Sequence, residues 1–456
     1  MALISLNPAT NKVIKKHYVH EDLEIKKILE SALQSQKYWS SLKLGKRLEP
    51  VLQMSSFLKD NNLELSKMIT QEMGKPIKQS ILEIEKCADL CDYYIKNSSK
   101  ILADIDYKID GQKSFVSYQP LGLILGIMPW NFPFWQVFRF AIPSLIVGNG
   151  ALLKHSSNVQ SCAKLIEKSF KIVGFPKNIF RNIVIPGSKV SKIIKNPSIA
   201  AVSLTGSNKA GISVATDAAS VLKKTVLELG GSDPYIILSD ADLNQSAESC
   251  INGRILNAGQ SCISAKRIIV IDTIYNQFLE ILLKKLSKKK IGDPMTDVDL
   301  GPMVSLNARD DIHKQVLESV KKGAKVMMGG YISKSIGSYY PLTLLSNVKP
   351  GMPAFDDELF GPVFSIIKAD NDKDAIDLAN LSEFGLGASV FTKDIRRGED
   401  IAKNKIFSGS CFVNDFVKSD PRLPFGGIKQ SGYGRELASH GMLEFVNIKT
   451  IVIKSN

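Results

Sequence analysis

Hydrophobic spacing divides the chain into stretches of two kinds. Over residues 23–39 and 47–73 apolar side chains return every three or four positions, the period of a helix with one buried face. Lys75-Pro76 opens another run of that period toward Tyr94, so the first hundred residues read as helices. Beyond them the period shortens. Phe115-Val116-Ser117-Tyr118 reads as a short strand. Residues 121–128, 150–154, 179–185 and 199–204 read as successive strands with helical patterns between them. Such alternation predicts parallel βαβ units and an α/β fold class. A second alternating set starts at Pro234-Tyr235-Ile236-Ile237-Leu238 and continues through 268–271 and 365–368. The β-branched residues of 448–453 close the chain as a strand.

Composition narrows the setting. With 456 residues, 44% of them hydrophobic, the chain can build a large core and at least two domains. No stretch is long and apolar enough to span a membrane, since Arg139 and Pro143 break the run over 134–148. The first eight residues lack the basic start and apolar run of a signal peptide. None of the six cysteines falls in a CxxC pair, and Cys87 and Cys91 lie one helical turn apart on an expected buried face. A reducing cytoplasm is therefore expected. The net charge of +14 raises the question of nucleic acid. Its lysines are spread along polar helix faces, and the densest run, residues 284–290, ends a helical pattern where cations complement the helix dipole. That pattern describes a solvated surface and predicts no nucleic-acid partner. The histidines, His17, His20, His155, His313 and His440, show no ligand spacing, so no metal site is expected.

Three segments carry chemistry. Cys262 ends Asn257-Ala258-Gly259-Gln260-Ser261-Cys262, Glu228 opens Glu228-Leu229-Gly230-Gly231, and Asn131 lies within Pro129-Trp130-Asn131-Phe132-Pro133. Alone, Cys262 would be a buried structural thiol, Glu228 a helix-end charge and Asn131 a turn residue. Together a thiol, a carboxylate and a side-chain amide suffice to oxidise an aldehyde through a thioester. Gly259 lets the backbone approach closely, and the two glycines after Glu228 permit an unusual backbone. A helix starting after Cys262 is expected to lower its pKa and supply an oxyanion N–H. No GxGxxG follows the early strands. Leu204-Thr205-Gly206-Ser207 does follow one and opens a helical run, where backbone N–H groups could hold a pyrophosphate.

These motifs resemble the aldehyde dehydrogenase superfamily, from Asn7-Pro8-Ala9-Thr10 to the closing strand. The resemblance implies a Rossmann-like cofactor domain (1–100 and 121–229), an α/β catalytic domain (230–430) and a small β ribbon for homo-oligomerisation (101–120 and 444–456), as dimer or tetramer. It implies Cys262 as nucleophile, Glu228 as the base that activates water, and Asn131 as oxyanion donor. Trp130 and Leu229 would border the nicotinamide, Glu358 and Phe360 hold its ribose, Gly206 and Ser207 meet the pyrophosphate, and Lys154 the adenosine ribose. Ser157 stands where NAD-preferring members carry a glutamate that would repel a 2′-phosphate, so NADP is expected over NAD, with NAD still possible. Ser261 and Ile263 flank Cys262 without a second thiol, which excludes a local disulfide switch.

From Phe134 the chain reads as a helix with Trp135 and Arg139 four apart on one face. Their family equivalents line the aldehyde tunnel. Arg139 recurs in enzymes for succinate semialdehyde, where a cation meets the distal carboxylate. Its other reading is an ion pair. Ser419 and Phe425 would complete the contacts, while Leu256 replaces a second arginine that some semialdehyde enzymes carry. The whole is similar to the short bacterial NADP-dependent succinate-semialdehyde dehydrogenases. Other readings are oxidation of glutarate semialdehyde or an aliphatic aldehyde, a cofactor-independent thiol esterase, or a non-catalytic basic binding protein.

Overall fold

The chain enters the fold as a hairpin, not as a helix. In the computed structural model, which describes residues 2–109 and 112–454, β1 (Ala2–Leu6) and β2 (Val13–Tyr18) pair antiparallel. Ser5 and His17 are buried between them and hydrogen-bonded at 3.1 Å, while Ile4 and Leu6 remain exposed. Polar residues inward and apolar residues outward invert the usual strand pattern, which is why hydropathy hides this hairpin.

Four helices follow: α1 (Asp22–Ser41), α2 (Leu44–Asp60), α3 (Asn62–Met73) and α4 (Ile77–Ile101). The helix expected over 47–73 is thus two. At Asn61 the backbone leaves helical geometry (φ −108°, ψ 13°), and its side-chain Nδ2 donates to Phe57 O at 2.8 Å, sharing that carbonyl with its own backbone N–H at 3.0 Å. Cys87 and Cys91 are fully buried on α4, as their spacing implied.

After β3 (Ile105–Ile109) and β4 (Gln112–Pro120), strands and helices alternate. They are β5 (Leu123–Met128), α5 (Trp135–Val147), β6 (Gly150–His155), α6 (Gln160–Ile172), β7 (Phe180–Asn182), α7 (Val190–Ile194), β8 (Ile199–Thr205), α8 (Asn208–Ala219) and β9 (Lys224–Glu228). These strands are parallel in the order β9-β8-β5-β6-β7. Strand order reverses between β5 and β8, and an open parallel sheet binds ligands at the carboxyl ends beside such a reversal.

The second set contains β10 (Pro234–Ile237), α9 (Leu243–Ile255), β11 (Arg267–Ile271), α10 (Asp272–Leu286), α11 (Leu306–Lys321), β12 (Lys325–Met328), β13 (Thr343–Ser346) and β14 (Val363–Ala369). It ends with β15 (Phe384–Gly385), β16 (Gly387–Phe391), β17 (Ser410–Val413) and β18 (Ile428–Lys429). Its sheet runs β12-β13-β14-β11-β10-β16-β17, parallel except at β12, while β15 pairs with β18. The tail then returns: β19 (Gly432–Tyr433) joins the first sheet against β9. Finally β20 (Val446–Lys454) pairs with β4, which also pairs with β3, as a three-stranded antiparallel ribbon. Residues 110, 111, 455 and 456 of the expected ribbon lie outside the described residues. Among the described residues no helix is long and apolar enough to cross a membrane.

Buried helix starts need acceptors for their first amides. Glu83 on α4 supplies one for α5, accepting from Phe134 N at 2.9 Å and Trp135 N at 3.0 Å. Glu72 on α3 caps α6, accepting from Ser161 N and Cys162 N at 2.9 Å each. Glu72 is fully buried, so Glu72→Ala leaves both donors without partners. An orphaned buried donor costs about 1–3 kcal/mol, and the urea midpoint of the variant is expected to fall accordingly. An unchanged midpoint would show that water replaces the cap.

Candidate active site

The carboxyl edge of the first sheet faces the amino edge of the second, and the three chemical motifs meet in that seam. Pro129-Trp130-Asn131 leaves β5, Thr205-Gly206-Ser207 leaves β8, and Leu229-Gly230-Gly231 links β9 to β10. The Cys262 loop approaches them just before β11. Three successive residues of that loop, Asn257, Ala258 and Gly259, have φ of 55°, 53° and 73°. Such a left-handed run is costly for side-chain-bearing residues and persists where its surroundings over-determine it. Asn257 Nδ2 donates to Asn131 O at 2.8 Å and to Gln260 O at 3.1 Å, and Asn131 Nδ2 donates to Gln260 O at 3.2 Å. The Asn131 loop and the cysteine loop therefore hold each other.

Glycine is required where these loops cross. A Cβ on Gly259 would lie 2.3 Å from Gly361 O, and one on Gly231 would lie 2.7 Å from Cys262 O. Gly231 has no positive φ, so close approach, rather than the unusual backbone expected from sequence, explains it. The segment after Cys262 also departs from expectation. It is a turn leading into β11 at Arg267, and no helix N-terminus serves the thiol. Lys266 stands in that place: its Nζ donates to Ser261 O at 2.9 Å and Cys262 O at 2.7 Å, and pairs with Glu358 Oε1 at 3.3 Å. Buried Arg254 fixes the neighbouring strand entry, donating to Leu359 O at 2.9 Å and Val363 O at 2.6 Å.

Two cavities meet at Cys262, the one residue that lines both. The first, about 310 Å³, is walled by Trp130, Asn131, Gly206, Ser207, Leu229 and Phe360, with Glu358 at its side. Trp130 and Phe360 pack edge-on with centroids 5.8 Å apart. Ser207 caps α8, so the positive end of that helix points toward this cavity. The second, about 220 Å³, is lined by Trp135, Arg139, Ser419 and Phe425, together with Lys86. Lys154 is the last residue but one of β6 and Ser157 follows in the next turn; neither lines either cavity. Lys154 makes no ion pair among the described residues, and burial lowers its pKa. Glu228, buried at the end of β9, also lines neither cavity.

The aldehyde dehydrogenase family model matches residues 2–451. The chain belongs to the aldehyde dehydrogenase family. A Synechocystis sp. protein named as a probable NADP-dependent succinate-semialdehyde dehydrogenase is 43% identical, covering 99% of this chain and 100% of the relative. The NAD(P)-dependent succinate semialdehyde dehydrogenase of Escherichia coli is 41% identical over 98% of this chain and 97% of its own. The crystal structure of a Streptococcus pyogenes succinic semialdehyde dehydrogenase with NADP+ superposes with a TM-score of 0.97 at 35% identity, covering 100% of both chains.

In this aldehyde dehydrogenase burial raises the pKa of both the thiol and the carboxylate. Burial pushes the Cys262 thiol up to about 12, against the pull of Lys266 and Arg139. Burial and the neighbouring Glu436 carboxylate raise Glu228 well above the usual carboxylate range, and neither Glu228 oxygen has a hydrogen-bond partner. An uncommitted carboxylate with a raised pKa is suited to accept a proton near neutrality. Arg139 is buried and forms an ion pair with Glu436, donates to Thr205 Oγ1 at 3.2 Å and lies 4.8 Å over the Phe425 ring. Sequence reasoning missed Glu436, Lys266, Glu83 and Lys86. Each reads as an ordinary helix or loop charge, and no linear spacing sets them apart.

A resting thiol reacts through its minor thiolate fraction. Iodoacetamide labelling of Cys262, followed by peptide mass spectrometry, is therefore expected to be slow at pH 7 and to rise about tenfold per pH unit. A rate that stays flat from about pH 6 to 9 would mean a preformed thiolate.

Proposed function

We propose that this NAD(P)-dependent aldehyde dehydrogenase oxidises succinate semialdehyde to succinate, with NADP as the preferred acceptor. The observation that carries the reading is the pair of cavities joined at Cys262, one beside a helix N-terminus and one bearing cations. The first suits a phosphate-bearing dinucleotide, because α8 directs its positive end there and Lys154, at the same sheet edge, makes no ion pair among the described residues. The relatives named above support the aldehyde and the cofactor.

Cys262 gives its proton to solvent and adds as thiolate to the aldehyde carbon, and the alkoxide that forms is held by the Asn131 amide; removing such a donor typically costs about a hundred- to thousand-fold in rate. NADP, held in the cavity lined by Gly206, Ser207 and Phe360, would supply the hydride acceptor for oxidation of this adduct to a thioester. Glu228 then takes a proton from water, which attacks the thioester and releases succinate, while the Cys262 sulfur leaves as thiolate. Gly231 lets the segment after Glu228 pass close to the cysteine loop, since a Cβ there would lie 2.7 Å from Cys262 O. The ribbon of β3, β4 and β20 exposes Ile105, Tyr107, Ile109, Ile448 and Val452, and we assign it to homo-oligomer contact.

A panel of aldehydes against both cofactors tests the reading. The highest kcat/KM is expected for succinate semialdehyde with NADP, and Cys262→Ala should retain under about a tenth of turnover. Best activity on an uncharged aldehyde would overturn the substrate assignment. Ser157→Glu should reverse the order of NADP and NAD, since its carboxylate would repel a 2′-phosphate and accept bonds from free ribose hydroxyls. A variant that still favours NADP would remove Ser157 from cofactor choice. Glu228→Gln should slow thioester release more than its formation, seen as a rapid burst of reduced cofactor before a slow steady state. Equal slowing of both phases would point to another base.

A further inference from the structure

A cation lies behind the thiol, buried in the turn that leads from Cys262 into β11. The Nζ of Lys266 donates to Ser261 O at 2.9 Å and to Cys262 O at 2.7 Å, so the carbonyls on either side of the Cys262 Cα converge on one ammonium. Its one ion pair among the described residues is with Glu358 Oε1 at 3.3 Å, and the Phe360 centroid lies 6.0 Å from Nζ. Glu358 and Phe360 border the first cavity, whereas Lys266 lines neither cavity. Lys266 therefore acts through the loop and not on a ligand. Glu358 is fixed in turn, accepting from Gly231 N at 3.1 Å and lying where a Cβ on Gly230 would come 2.6 Å from its Oε2. The other charged groups facing the thiol are Arg139 and Asp233. Arg139 reaches in from α5, with Nε on Glu436 and Nη2 on Thr205 Oγ1. Asp233 is buried just before β10, and its Oδ1 accepts from Gly387 N at 3.0 Å. Burial raises the Cys262 thiol most; Lys266 pulls it down, more than Arg139 does, and Glu358 and Asp233 add to the rise. A buried ion pair gains little over apolar packing, so stability alone gives no reason for an ammonium at this position. An opposite charge a few ångströms from a thiolate favours the ionised form.

We propose that Lys266 is a positioning residue that stabilises the Cys262 thiolate from behind its loop, and that Glu358 is the counterweight to its charge. The inference rests on the reading of Cys262 as nucleophile. It puts a lysine of the same turn in the place of the helix dipole expected from sequence, and the two bonds of that lysine fix the peptide planes flanking the nucleophile. Glu358 borders the cofactor cavity and tempers the ammonium from that side.

The test follows iodoacetamide labelling of Cys262 by peptide mass spectrometry, from about pH 7 to 9.5, in wild type, Lys266→Gln, Lys266→Arg and Glu358→Gln. Lys266→Gln keeps a donor for the loop and removes the charge, so its rate at pH 8 should fall about tenfold. Lys266→Arg, which keeps the charge, should stay within about threefold of wild type. Glu358→Gln should label roughly three- to tenfold faster, because the ammonium then lacks its counterweight. The opposite signs separate charge from structure, since a loosened loop would move both neutral variants the same way. Equal rates in wild type and Lys266→Gln, a loss that Lys266→Arg does not recover, or a shift of Lys266→Gln and Glu358→Gln in one direction overturns the proposal. An unchanged Glu358→Gln rate overturns the role of Glu358. Should Lys266→Gln not fold, Glu358→Gln decides alone: faster labelling supports the proposal, and equal or slower labelling overturns it. Labelling needs neither aldehyde nor cofactor. Full turnover in Cys262→Ala would thus sink the proposed function by itself, while the labelling rates still decide Lys266.

Discussion

The geometry of the site depends on one buried carboxylate. Glu83 stands almost wholly out of water, paired with Lys75 and accepting the first amides of α5. Lys75 is equally buried, with its Nζ 3.8 Å from the centroid of Phe132. The pair therefore clamps the loop that carries Trp130 and Asn131 from two sides. Removing one partner of such a pair leaves an uncompensated buried charge, typically at a cost of about 3–5 kcal/mol. Its strength lies in the number of bonds it makes, since a buried ion pair alone gains little over apolar packing.

That clamp explains how opposing demands coexist in the seam. Catalysis needs a thiol, a carboxylate and an amide close together, while folding disfavours burying groups whose bonds are unmade. The protein separates the two tasks. Capping glutamates and the arginines Arg254 and Arg267 have their bonds satisfied by backbone and hold the loops still. Both carboxylate oxygens of Glu228 are left without partners, free to accept a proton. The left-handed run through Asn257, Ala258 and Gly259 follows the same logic, with strain held in place by bonds to Asn131 and Gln260.

Much of this was legible in the chain. The two alternating βαβ sets appear close to their expected positions, because parallel strands buried on both faces leave continuous apolar runs. The segments around Asn131, Glu228 and Cys262 stand out because glycine, proline and asparagine cluster where loops must cross. The N-terminal hairpin was hidden by its inverted burial, and the break at Asn61 by a side chain competing for a helical carbonyl. The turn after Cys262 was misread as a helix because a residue's dipolar surroundings are not written in its neighbours.

Sequence by itself determined the α/β alternation, the family and the three motifs that bear chemistry, since each rests on local spacing or on residues within one loop. Tertiary structure decided which charges are free. Arg139 pairs with Glu436, nearly three hundred positions on, whereas Lys86 meets Ser419 from the far part of the chain and makes no ion pair among the described residues. Pairing of charges is set by distance and desolvation, and both depend on contacts between segments remote in sequence. No reading of one stretch at a time can supply them.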